Sequence, residues 1–327
     1  MANKEAISKR KVKLRNAFLE DVLNGLSSAD KYLDSRYFYD GVGDELFKAI
    51  MHCEDYYLTR CEAEILETKC DEIVSDVRAT AGDFDIVELG AGDASKSIYL
   101  LKAIEKAGIN CTYFPIDISA GVTKQLEDKL PAIVPGITAV ALNGDYWDML
   151  LRANAQTNKP KLVLFLGANI GNMPVAQAAA FCKRLHSLLN PGDKVLIGFD
   201  LKKDPGIILK AYNDSEGITR EFNLNLLKRI NEELGADFNV SAFRHYPVYD
   251  PGTGACKSYL ASERKQTVTV AGREIHFEAH EPIYMEVSQK YSPAQIQQLA
   301  THSGFRQLHS YHDSKGWFVD VLWERGA

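Results

Sequence analysis

Between residues 85 and 199 short, nearly all-apolar runs alternate with amphipathic stretches. The runs are 85–89 (DIVEL), 111–116 (CTYFPI), 137–142 (ITAVAL), 161–166 (KLVLFL) and 194–199 (KVLIGF). Runs of this length that are apolar throughout fit strands covered on both faces, so a parallel sheet is expected. The intervening stretches predict helices over 96–107, from Ser119 to about residue 130, after Asp145, and over 174–189. Ser119 is the expected cap of the second of these. The Asn190-Pro191-Gly192-Asp193 turn separates the last helix from the last run.

The rhythm then changes. Residues 205–234 read as helical and 258–289 as a meander of strands, with a hairpin over 267–270 and 274–277 around Ala271-Gly272. Ser292-Pro293 opens a further helix, and 305–312 and 317–323 close the chain as two strands. A helix and a terminal antiparallel pair added to five parallel strands resemble the seven-stranded sheet of class I (Rossmann-like) methyltransferases. The expected architecture is therefore α/β, with that domain over 63–202 and 291–327. A second, smaller α+β domain is expected from 1–62 and 203–290, with the functional cleft between the two.

Bulk properties narrow the partners. With 327 residues, 46% apolar and 25% charged, the chain suits a globular protein of two domains. The net charge of −6 leaves no basic footprint, so nucleic acid and anionic membranes are not expected partners and a small metabolite is. The basic opening MANKEAISKRKVKLRN has no apolar core behind it and reads as no signal peptide. Six scattered cysteines without CxxC spacing fit reduced thiols, so a cytoplasmic location is expected, with a monomer as the working state. His276 and His280 stand four apart on a strand-like stretch, a span of about 13 Å, so no metal site is expected.

The candidate chemistry lies at the strand ends. Glu88-Leu89-Gly90-Ala91-Gly92 follows the first run, and Gly90 and Gly92 let a ligand approach the backbone closely. The flanks Glu88 and Asp93 disfavour a pyrophosphate but not S-adenosylmethionine, which carries a sulfonium and no phosphate. Asp117 ends the second run where a carboxylate can accept two ribose hydroxyls. Asp145 and Tyr146 follow the third, suited to the adenine amine and ring face. A lone GxG also serves as an ordinary tight turn; the weight comes from three strand ends carrying the set in order.

The chain further resembles the ergothioneine-pathway histidine Nα-methyltransferases. The similar blocks are YFYDGVGDELF at 37–47, DYYLTR at 55–60, VELGAGDASK, FLGANIGNMP, AYNDSEGITREFNLN and MEVSQKY, spread in order through nearly the whole chain. Leu58 stands where that family usually has proline. The resemblance implies S-adenosylmethionine contacts at Gly90, Lys96, Asp117, Asp145 and Tyr146. It implies amino-acid contacts at Tyr56, Asn172, Tyr212, Glu286 and Ser288. The implied activity is three successive methyl transfers to the α-amine of histidine, giving its betaine.

Side-chain chemistry agrees. Glu286 and Ser288, two apart on an expected strand, point to one face and can address both nitrogens of an imidazole. The Asn172 amide and Tyr212 hydroxyl suit an α-carboxylate. Tyr39, Phe47 and Tyr56 offer aromatic faces to an amine that becomes a fixed cation. Ser258 replaces a methionine near the substrate in some family members, which leaves a tryptophan-type amine as the alternative substrate. A nicotinamide-dependent oxidoreductase built on the GxG turn and a non-catalytic binding protein are the alternatives of other classes.

Overall fold

The computed structural model describes residues 2–326, with side chains over 14–326. The basic opening segment lies largely outside the described side chains. In chain order the helices are α1 (Ala2–Ser27), α2 (Gly41–His52), α3 (Leu58–Ala81), α4 (Ser97–Lys106), α5 (Ala120–Ile133), α6 (Tyr146–Gln156), α7 (Val175–Leu188), α8 (Pro205–Tyr212), α9 (Ile218–Leu234) and α10 (Pro293–His302). The strands are β1 (Asp85–Leu89), β2 (Thr112–Asp117), β3 (Thr138–Ala139), β4 (Leu142–Asn143), β5 (Lys161–Phe165), β6 (Lys194–Asp200), β7 (Phe243–Asp250), β8 (Ala255–Ser262), β9 (Gln266–Val270), β10 (Arg273–Phe277), β11 (Pro282–Gln289), β12 (Phe305–His312) and β13 (Phe318–Arg325). Contacts divide the chain into two units, Met1–Tyr57 with Lys203–Ser288, and Leu58–Lys202 with Gln289–Ala327. The expected boundary at 62 falls inside α3, which is one continuous helix packed on α4 and β13, so its first turn goes with the second unit.

The second unit holds one large sheet in the order β12-β13-β6-β5-β1-β2-β3, with β4 also on β2. Strands β1, β5 and β6 are buried at every residue and pair in parallel, as apolar runs covered on both faces must. Strand β13 joins antiparallel to β6, and β12 to β13, completing the class I methyltransferase sheet. The expected third strand over 137–142 is instead two short pieces. It lies at the sheet's edge, where no outer strand holds it, and the Glu127 carboxylate takes the Ala141 N–H at 3.1 Å. Apolar side chains from Val87 to Trp323 form the core around this sheet.

The first unit has its own core, built from Phe18, Val22, Phe38, Phe222, Leu227, Phe277 and Ile283 among others. A three-stranded sheet, β11-β8-β7, and the β9–β10 hairpin supply its strands. Strand β7 was not expected: Pro247 interrupts its apolar pattern. At the edge of a three-stranded sheet a proline costs no ladder bond on the open side. His280, expected on a strand, instead sits in the turn past β10 with φ +68°. Residues 205–234 are not one helix. The Asp214 carboxylate accepts the N–H groups of Ile218 and Thr219 at 2.7 and 2.8 Å and starts α9 afresh, so Tyr212 becomes the last residue of α8. No helix among the described residues is long and apolar enough to cross a membrane, and none of the six cysteines is in a disulfide.

Candidate functional site

In the second unit the chain order 3-2-1-5-6 reverses direction between β1 and β5, and the loops after these strands leave from the carboxyl edge, where open parallel sheets bind ligands. Gly90 and Gly92 take φ +74° and +54°, a left-handed turn for which glycine is the low-cost residue. A Cβ on Gly90 would lie 2.7 Å from the Tyr146 hydroxyl, so the tyrosine closes directly over the turn. Ala94 and Ala168 also hold positive φ, at 56° and 54°, without glycine's freedom. Both lie in the loops after β1 and β5, and such stored strain gathers at binding sites.

Asp117 ends β2 with both carboxylate oxygens oriented. One accepts the Gly92 N–H at 3.2 Å and the other the Ser119 N–H at 2.8 Å, leaving lone pairs for a diol. Asp145 caps α6 by accepting from the Trp147 N–H at 2.9 Å, which places Tyr146 as the first helical residue. Burial, reinforced by Asp117 and Asp145, pushes the Tyr146 hydroxyl up to about 12, so it stays a neutral phenol. Ile118, 78% exposed between Asp117 and Ser119, adds an apolar surface that sequence reading missed.

Beneath the turn, Glu88 is buried on β1 and accepts from the Tyr113 hydroxyl. Burial raises its carboxyl to about 7, against the opposing pull of Tyr113, Ser97 and Lys96. Lys96 forms an ion pair with Glu62 of α3, whose other oxygen accepts the Gly167 N–H at 2.6 Å. Burial works against the Lys96 charge, but Glu62 outweighs it and the ammonium titrates above its ordinary range. One lysine among Glu88, Asp93, Asp117 and Asp145 is a poor cradle for a pyrophosphate and a suitable one for a sulfonium with a ribose diol and a single carboxylate.

Asn172 is the last residue of a short 3-10 turn over Asn169–Asn172 and is exposed. Pro174 precedes α7 without a side-chain cap bond, so the Asn172 amide is not serving as the cap of α7.

In the first unit the sequence-predicted residues fall into two groups. Tyr212 donates to the Ser288 Oγ at 2.6 Å, and the Tyr56 ring meets that of Tyr212 edge-on at 6.1 Å. Strand β11 alternates: Ile283 and Met285 enter the core, so Tyr284, Glu286 and Ser288 share the other face. Glu286 is half-buried and adds to the burial that raises the Tyr284 hydroxyl to about 12. Tyr39 and Phe47 form the second group, T-shaped at 5.6 Å, with Phe222 of α9 at 5.8 and 5.9 Å from them. Ser258 is not brought together with Glu286. Its neighbour Tyr259 packs on Tyr284, so Ser258 lies on the opposite face of β8, with Leu260.

Two positioning residues of this unit escaped the sequence reading. Asp55 accepts from the backbone and hydroxyl of Ser215, each at 3.0 Å, and pairs with Lys210 at 2.7 Å. Its carboxyl, held by Lys210 and Ser215, drops to about 2. The DYY block is thereby tied to the end of α8, which sets Tyr56 against Tyr212. Asp40 likewise caps α2 through the Gly43 N–H at 2.7 Å and accepts from Asn225 of α9 at 3.0 Å, carrying Tyr39 with it. Both acids stand in the blocks quoted above, but nothing in their spacing marks a distant partner.

Residues 18–325 match the family model described as histidine-specific methyltransferase, SAM-dependent. A histidine N-alpha-methyltransferase of Mycolicibacterium smegmatis is 38% identical over 304 residues, 92% of this chain and 93% of that protein. The enzyme of the same name from Mycobacterium tuberculosis is 34% identical over the same shares. An L-tryptophan methyltransferase of Psilocybe serbica is 27% identical, covering 92% of this chain and 90% of that one. These matches set aside the nicotinamide oxidoreductase and the binding protein without turnover. The chain belongs to the histidine-specific, S-adenosylmethionine-dependent methyltransferase family and is an N-methyltransferase with S-adenosylmethionine as donor.

Proposed function

We propose that the substrate is L-histidine and that its α-amine is methylated three times. The Tyr212–Ser288 bond supports this reading most directly. A serine that accepts from a neighbouring phenol is oriented as a donor, and Glu286, two residues away on the same face, is an acceptor. A neutral imidazole needs that pair, one nitrogen accepting and the other donating. An indole has no acceptor nitrogen and would leave Ser288 unmatched, at a cost of roughly 1–3 kcal/mol.

Bound S-adenosylmethionine supplies an electrophilic methyl carbon. Asp117 accepts the ribose hydroxyls, Asp145 the adenine amine, Tyr146 stands against the ring face, and Lys96 meets the carboxylate. Asn172 offers its amide to the substrate α-carboxylate. Tyr212, whose proton goes to Ser288, acts through that serine. Tyr39, Phe47 and Tyr56 present ring faces to the amine, which suit both the neutral nucleophile and the methylated cation. Alignment of lone pair and methyl carbon supplies the acceleration, on the order of 7–11 kcal/mol in favourable cases.

The test is mass spectrometry after incubation with S-adenosylmethionine and each amino acid in turn. Histidine is expected to gain three methyls and tryptophan none. Unchanged histidine, or preferred methylation of tryptophan, overturns the reading.

A further inference from the structure

The catalytic reading above makes no use of a buried carboxyl pair under the loop that follows β5. Glu62 comes from α3 and is 1% exposed; Asp320 comes from β13 and is fully buried. They meet over Gly198, which β6 pairs directly with Asp320. A Cβ on Gly198 would collide with the Glu62 carboxylate and lie 3.1 Å from Asp320 Oδ1, so both acids occupy space that only a glycine leaves open. Glu62 is fully engaged, with Gly167 N–H on one oxygen and the Lys96 ammonium on the other. Asp320 has no hydrogen-bond partner on either oxygen.

An aspartate enclosed without a partner is held as the neutral acid, because the charged form is the costly one to bury. Lys96 pairs directly with Glu62, while Asp320 and Glu88 also favour its charge without forming an ion pair with it. The Glu62 carboxylate has anchored itself on the backbone of the strand-end loop carrying Ala168, Asn169 and Asn172. The ammonium is drawn to Gly167, within 3.4 Å of where a Cβ would stand there, and its side chain keeps 24% of its surface open. An ammonium has three protons, and one pair with a single anchor leaves it aimed rather than spent.

We propose that Glu62 is a positioning residue that fixes Lys96 for the carboxylate of the donor's amino-acid moiety, with Gly198 making room for it. This rests on the reading that Lys96 meets that carboxylate. Without the anchor, the lysine becomes one of many rotamers of a long chain, and its order must be gained when ligand binds. The effect is confined to ligands that have the carboxylate. The adenosine part of the ligand meets Asp117, Asp145 and Tyr146, which lie on other strand ends.

The experiment compares binding of S-adenosylhomocysteine with that of methylthioadenosine, which lacks the amino-acid moiety, by calorimetry on the intact protein. Glu62→Gln is expected to weaken S-adenosylhomocysteine by about 10- to 100-fold and methylthioadenosine by no more than about 2-fold. Gly198→Ala, which drives a methyl into the Glu62 carboxylate, is expected to give the same selective loss and serves if Glu62→Gln fails to fold. Equal weakening of both ligands shows a general structural role and overturns the proposal, as does unchanged binding of both. If the unaltered protein binds the two ligands equally, the donor-site role of Lys96 fails first and the inference with it. If it prefers S-adenosylhomocysteine and Glu62→Gln keeps that preference, only the role of Glu62 falls.

Discussion

The Tyr212 hydroxyl donates to the Ser288 Oγ at 2.6 Å, joining the last residue of α8 to the closing residues of β11. The bond exists because Asp214 restarts the helix two residues later, leaving the tyrosine at a helix end where its ring can reach the strand. Tyr212→Phe keeps the ring contact with Tyr56 and removes only the donor. The expected result is a KM for histidine raised about 10-fold, in line with loss of one oriented hydrogen bond, with donor affinity unchanged. Steady-state kinetics with each substrate varied in turn checks it; an unchanged histidine KM would show that the phenol does nothing for Ser288.

Glu286 should separate substrate from donor in the same way. Its carboxylate is half-buried on the face that Ser288 shares, in the first unit, whereas the residues proposed to hold the donor belong to the second. Glu286→Ala is expected to lower kcat/KM for histidine by at least about 10-fold, the value of one charge-assisted hydrogen bond, while calorimetry finds S-adenosylhomocysteine binding intact. Parallel loss of both would make Glu286 a structural residue.

Why some of this was legible in the sequence and some was not follows from how each part is held. Strands β1, β5 and β6 are buried on both faces, so apolarity alone announces them, and Gly90, Asp117, Asp145 and Tyr146 could be placed by counting from strand ends. The edge pieces β3 and β4 lack an outer neighbour, and Glu127 interrupts their ladder. Strand β7 is disguised by Pro247. The same division runs through the site. Glu62, Asp55 and Phe222 sit on helices or loops, in positions whose local pattern predicts only solvent or core. Their partners, Lys96, Ser215 and Tyr39, are 34, 160 and 183 residues away along the chain, and only the folded contacts bring them together. Family resemblance pointed to the residues proposed to face the ligands and was silent on the contacts that Glu62, Asp55 and Phe222 make.

Gly90 offers a direct test of the donor turn. At φ +74° an alanine is strained by roughly 1–2 kcal/mol, and its methyl would stand 2.7 Å from the Tyr146 hydroxyl. Gly90→Ala is therefore expected to displace Tyr146 and weaken both S-adenosylhomocysteine and methylthioadenosine by about 10-fold or more. The contrast with Glu62→Gln, which spares the second ligand, distinguishes the adenosine half of the site from the amino-acid half. If alanine is tolerated with full affinity, Tyr146 does not need to close over the turn.

Two buried groups should give the folded protein opposing pH dependences over nearly one window. Burial raises Glu88 from 4.5 to about 7, so the native state binds its proton more tightly than the unfolded chain. Its contribution is complete below about 4.5 and is lost as pH rises through about 7. His245, on β7, is buried with no hydrogen-bond partner on either ring nitrogen, and burial lowers it from 6.5 to about 4. Its contribution is complete above about 6.5 and is lost as pH falls through about 4. Glu88→Gln should therefore change stability, relative to the parent protein, with a positive slope between about pH 4.5 and 7, amounting to something on the order of 3 kcal/mol. His245→Phe should show the reverse slope between about 6.5 and 4, and its replacement of an unpartnered ring by an apolar one need not destabilise at neutral pH. Urea denaturation across this range reads both differences. Curves for either variant that stay parallel to the parent's would mean that its group titrates alike in the folded and unfolded chains, and burial would then not be what governs it.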